Sequence, residues 1–70
     1  MSVAVLNLED SLMAINLNHV SRMILDSDGL WFELDGVSYA TYQGQCRTLY
    51  LHSETGQQSA VDMWNKFINM

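Results

Sequence analysis

Residues 30–41 read LWFELDGVSYAT, and the pair Asp35-Gly36 at their centre decides the fold. A two-residue type I′ turn needs positive φ at both central residues, which Gly adopts freely and Asp tolerates, so the flanking runs are predicted to fold back on each other as a β-hairpin. That turn fixes the register. Leu34 then faces Val37, Phe32 faces Tyr39 and Leu30 faces Thr41 on one side, while Trp31 lies opposite Ala40 and Glu33 opposite Ser38 on the other. One face is apolar; the other sets a tryptophan among polar and small residues.

Upstream, Asp26-Ser27-Asp28-Gly29 is a second turn signal, and VSRMILD (20–26) before it reads as a strand. NLNH (16–19) breaks the apolar pattern and predicts a corner. VAVLNL (3–8) and LMAINL (12–17) flank Glu9-Asp10-Ser11 and read as a further hairpin. A helix over 8–15 is the competing reading, since Asn7 offers a cap and Leu8, Leu12 and Ile15 have helical spacing. Downstream, the chain turns through 43–46 and RTLYLHS (47–53) is expected to form the last strand. A three-residue loop with a glycine bulge would put Leu49 and Leu51 on the Phe32 side; loops of two or four residues would put Tyr50 there, and burial favours the leucines.

Thr55-Gly56-Gln57-Gln58 fits a T-x-x-Q capping box, and Ala60, Val61, Trp64, Phe67 and Ile68 follow at helical spacing, which predicts a helix over about 56–68. The expected architecture is a single α+β domain over 1–70. Its antiparallel meander of about five strands, within 3–53, packs against one C-terminal helix, with Trp64 in the core and Met23 and Met63 filling gaps.

The order of a short hairpin, an I-N-x-x-x-[VI] corner (Ile15-Asn16-Leu17-Asn18-His19-Val20), a second hairpin and a terminal helix resembles the small FlbD-type proteins of flagellar operons. It is similar also to short sheet-plus-helix proteins encoded by phages and plasmids. The pattern covers most of the chain, and the RTLYLHS strand departs from it. The resemblance implies the fold and brings no catalytic residues with it.

Ordering 70 residues costs on the order of 100 kcal/mol of conformational entropy, so one small core must recover nearly all of it. Apolar residues make up 49% of the chain, enough to fold rather than remain disordered. A single cysteine, Cys46, forms no internal disulfide, no run approaches a membrane span, and the start lacks the features of a signal peptide, so a cytoplasmic protein is expected. Eight acidic residues against three basic ones give a formal charge of −5 and weigh against direct nucleic-acid binding, which draws its affinity from Lys and Arg clusters.

Catalytic signals are weak. His19, Cys46 and His52 show no metal-ligand spacing, Cys46 sits in or beside a turn without a signature that would activate its thiol, and the acidic pairs read as turn and surface residues, so no cofactor, metal or enzymatic activity is expected. The remaining reading is a small acidic protein-binding module, an inhibitor or adaptor of the kind phages and mobile elements encode. Trp31, Glu33, Tyr42, Tyr50 and Arg47 are its expected partner-binding residues, with Trp31 and Tyr50 on adjacent cross-strand rows. Glu9, Asp10 and Asp35 form a candidate acidic edge, able to imitate phosphates before a nucleic-acid-binding protein if both turns lie on one side. The alternative is an assembly component that buries the Trp31 face against its own copy as a homodimer.

Overall fold

In the computed structural model, which describes residues 2–70, the turn at Asp35-Gly36 has φ of 50° and 81°, the conformation that the type I′ reading requires. Six strands and one helix follow along the chain: β1 (Val3–Asn7), β2 (Leu12–Asn16), β3 (Val20–Asp26), β4 (Gly29–Leu34), β5 (Val37–Ala40), β6 (Arg47–Thr48) and α1 (Gly56–Ile68). The fold is α+β. The strands divide into a ribbon, β1-β2, and a four-stranded sheet in the order β3-β4-β5-β6.

Local chemistry explains each connection. The Glu9-Asp10 turn closes the β1–β2 hairpin through Leu8 N–H to Ser11 O at 2.9 Å, so the strand reading prevails over a helix across 8–15. Asn16 to His19 is the expected corner: Leu17–His19 form one 3₁₀ turn, capped by Asn16 Oδ1 accepting from Asn18 N–H at 3.1 Å. At the next turn, Asp26 Oδ1 accepts from Asp28 N–H at 2.9 Å and from Gly29 N–H at 3.3 Å. The β4–β5 register is the one read from the sequence, Leu34 to Val37, Glu33 to Ser38, Phe32 to Tyr39 and Trp31 to Ala40.

The last strand differs from expectation. Instead of returning antiparallel, the chain loops through 41–46 and runs beside β5 in the same direction, setting Tyr39 against Arg47 and Ala40 against Thr48. Thr41 extends the β4–β5 pairing by one residue and ends it: its N–H donates to Leu30 O at 2.9 Å, and its Oγ1, in place of its backbone C=O, accepts from Leu30 N–H at 3.1 Å. Only two residues then pair as β6. Beyond them the chain crosses to the ribbon, where Glu9 N–H donates to Tyr50 O at 2.9 Å and His52 N–H to Asn7 O at 2.8 Å. Segment 47–52 is therefore a strap that ties the two sheets together. Leu49 and Leu51 still pack against the core, as their hydrophobicity demands.

The core joins ribbon, sheet and helix: Ala4, Leu6, Ile15, Leu17, Val20, Leu30, Phe32, Ala60 and Met63 are buried together. Phe32 is fully buried and stacks on Tyr39 with ring centroids 5.3 Å apart. Helix α1 follows its sequence reading at Ala60 and Met63 and departs from it at Trp64, Ile68 and the cap. Met63 and Ala60 are its deepest side chains, Trp64 is only half-buried, and Ile68 is exposed. Thr55 is the N-cap residue but makes no side-chain cap bond; its hydroxyl is taken instead by Asn7 Nδ2, and Gln58 turns to Asp62 at 2.9 Å. The capping box is thus replaced by a tie from the helix start to the end of β1.

A candidate partner-binding face

Alternation along β4 sends Leu30 and Phe32 into the core and Trp31 and Glu33 to the opposite face of the sheet. Helix and ribbon pack on the Phe32 side alone; Trp31 is half-buried and lies outside the core. The two-residue turn at 27–28 pairs Ile24 with Trp31 and Arg22 with Glu33. One cross-strand row therefore runs Ile24, Trp31, Ala40, Thr48. Ala40 is buried in that row, while Ile24 keeps 51% of its surface exposed.

Polar groups hold the tryptophan's surroundings in place. The Arg22 guanidinium lies 5.8 Å from the Trp31 ring centroid and its Nη2 is 3.9 Å from Glu33 Oε2. Ser21 Oγ donates to Glu33 Oε1 at 2.7 Å. The carboxylate of Glu33 thus steers Arg22 over the ring, an exposed arrangement that adds little to stability and much to the definition of the surface.

The expected site residues do not all converge. Tyr42 is half-buried with its ring edge against Gly29, two residues along β4 from Trp31; a Cβ on that glycine would meet Tyr42 Cδ1 at 3.2 Å. Tyr50, 55% exposed, stands apart from its expected row beside Glu33 and Ser38, because the parallel course of β6 carries it the other way, toward Glu9. Arg47 is exposed in register with Tyr39, and alternation puts it on the core side of the sheet edge, so Arg22 is the cation at Trp31. The sequence reading missed Arg22 and Ile24, although a two-residue turn at Ser27-Asp28 would have paired them with Glu33 and Trp31.

The candidate acidic edge is divided. Asp35 sits by the corner, its N–H donating to His19 O at 3.3 Å and its carboxylate 3.5 Å from His19 Nδ1. Glu9 and Asp10 lie at the far end of the ribbon, since the corner follows Asn16, the partner of Val3, and their turn follows Asn7. Among the described residues, no group of three or more His, Cys, Asp or Glu could hold a metal ion, and no helix is long and apolar enough to cross a membrane. Cys46 is a half-buried free thiol.

Loss of hydration on burial holds the Tyr42 hydroxyl above the ordinary tyrosine range, with Asp26, then Cys46 and Asp28, adding repulsion of the phenolate. Between the unfolded value and the raised folded one, the folded state binds the extra proton, so this contribution to stability is present at neutral pH and is lost as pH climbs through that window. The tyrosinate absorbance removed by Tyr42→Phe should therefore fall at higher pH in the folded protein than in denaturant. Coincident positions would show that the hydroxyl is solvated.

No protein-family model, curated protein or solved structure matches this chain.

Proposed function

We propose that this chain is a small acidic protein-binding module without enzymatic activity, an inhibitor or adaptor that occupies the surface of a protein partner through its Trp31 face. One observation carries the reading: helix and ribbon cover the Phe32 side of the sheet alone, and the other side presents Trp31 beside a half-exposed Ile24, framed by Arg22 and Glu33. Aromatic and arginine side chains dominate the energetics of protein interfaces, and polar groups around them exclude water. Tyr42 extends the patch at the Gly29 end.

Steric blocking is favoured over imitation of nucleic acid, because Asp35 and the Glu9-Asp10 turn lie at opposite ends of the ribbon and a charge of −5 is modest. A cytoplasmic site of action suits the free thiol. Small size, acidity and the sheet-plus-helix plan fit a protein of phage or mobile-element origin.

The test is an affinity series against the partner captured by the wild-type protein. Trp31→Ala and Ile24→Asp should each weaken binding by about 2 kcal/mol or more, roughly thirtyfold, while both variants remain folded. Undiminished affinity in both would move the site elsewhere. Affinity that collapses with added salt would restore the phosphate-mimic reading.

A further inference from the structure

The ribbon has two edges, and only one is protected. Leu17 N–H donates to Ser2 O at 2.9 Å, and Leu8 N–H donates to Ser11 O at the other end of the hairpin. Antiparallel alternation between these points turns the backbone groups of Ala4 and Leu6 toward β2, and those of Val3, Val5 and Asn7 outward. On β1 helix α1 packs along the strand, and the helix and His52 take up three of the outward groups, leaving those of Val5 beneath the helix. Ser59 Oγ accepts from Asn7 N–H at 3.0 Å, His52 N–H donates to Asn7 O, and Lys66 Nζ donates to Val3 O at 3.1 Å.

On β2 the same alternation turns the C=O of Leu12, both groups of Ala14 and the N–H of Asn16 outward, and among the described residues they have no partner. The other sheet edges are guarded: β3 carries Arg22, Asp26 and a register shift between Val20 and Arg22, and β6 is two residues long. LMAIN has no charge, no proline and no bulge. Leu12 and Val5 are 71% and 48% exposed on the ribbon's outer face, with Ala14 exposed between them.

We propose that β2 pairs with β2 of a second copy, antiparallel about a two-fold axis through Ala14, to make a continuous sheet β1-β2-β2′-β1′. A two-fold is the operation under which this edge complements itself: Ala14 exchanges both backbone bonds with its own copy, and Asn16 N–H reaches the C=O of Leu12 across the axis. Charge selects the same edge. A molecule at −5 repels its copies, and this stretch brings no ionised side chains into opposition. Growth stops at two, because Ser59 and Lys66 close the β1 edge at which a third ribbon would add. The proposal stands independently of the Trp31 face, which remains free in the dimer.

Sedimentation from micromolar to millimolar concentration should show the mass doubling, more readily at higher ionic strength as the repulsion is screened. Ala14→Lys sets two ammonium groups against each other on the axis. It should shift the equilibrium at least tenfold toward monomer even though it reduces the net charge from −5 to −4, which by itself would favour association. In the wild-type protein, amide exchange at Ala14 and Asn16 should slow with concentration while the Val5 amide, turned outward on the closed edge, does not change. That readout holds even if Ala14→Lys fails to fold. A monomer throughout, a dimer that Ala14→Lys leaves intact, or a dimer that protects neither amide overturns the proposal.

Discussion

Phe32→Ala should leave the protein largely unfolded at room temperature, while Trp31→Ala, one position away on the same strand, should leave it folded. Phe32 is fully buried at the centre of β4, stacked on Tyr39 and packed with core residues from ribbon, sheet and helix. Truncating a phenylalanine in such a site costs about 3–5 kcal/mol in lost transfer energy and unfilled volume. A core of this size supplies about 3–5 kcal/mol of net stability, so the loss equals or exceeds the reserve. Trp31 is half-buried and outside the core; its removal uncovers Ala40 and releases Arg22, for about 1–2 kcal/mol. Urea denaturation of both variants measures the difference. If Trp31→Ala unfolds as readily as Phe32→Ala, Trp31 is a packing residue and the proposed binding face loses its anchor.

The fold was legible wherever a turn fixed a register. Asp35-Gly36 and Ser27-Asp28 each leave two residues in the loop, so the pairings in β3-β4-β5 follow by counting from Arg22 to Ala40, up to the register shift between Val20 and Arg22, and the division of Phe32 from Trp31 with them. The direction of 47–53 was not legible. Hydrophobicity correctly demanded that Leu49 and Leu51 pack against the core, but parallel and antiparallel courses both achieve that, and no residue of the 41–46 loop distinguishes them. Tyr50 was misplaced for this reason, whereas Arg47 shares the face of Leu49 by alternation in either course and was never on the Trp31 side.

The same limit applies at the helix. Spacing located α1, and a T-x-x-Q match implied a local cap, yet Asn7, 48 residues upstream, claims the threonine hydroxyl. A capping motif is a local statement and yields to a tertiary competitor. The stripe assigned its largest residue, Trp64, to the core, whereas the helix approaches β1 so closely that Ala60 and Met63 take the deepest positions. Periodicity defines a face without giving the distance to what it packs on.

That close approach sets the second large effect. Gly56→Ala should destabilise the protein by about 3 kcal/mol, against the usual preference of helices for alanine. Gly56 begins α1 where the helix, the strap and the end of β1 converge, and its N–H donates to His52 O at 2.9 Å. A Cβ there would lie 2.6 Å from Leu51 Cβ, 2.9 Å from Asn7 O and 3.0 Å from Leu51 C. Two of these three atoms belong to the backbone, so relief requires moving the strap or β1 itself. Greater helix propensity returns at most about 1 kcal/mol, which packing outweighs. Gly44→Ala is the matched control: Gly44 is exposed in the 41–46 loop, and a Cβ there meets nothing nearer than Cys46 Sγ at 3.8 Å. Restricting the unfolded chain there should be neutral or stabilise by up to about 1 kcal/mol. Thermal denaturation of the pair should therefore give shifts of different sign, downward for Gly56→Ala and level or upward for Gly44→Ala. Equal shifts would mean that the strap yields to the added methyl group, and that the two sheets are joined less tightly than the hydrogen bonds of Asn7, Glu9 and His52 imply.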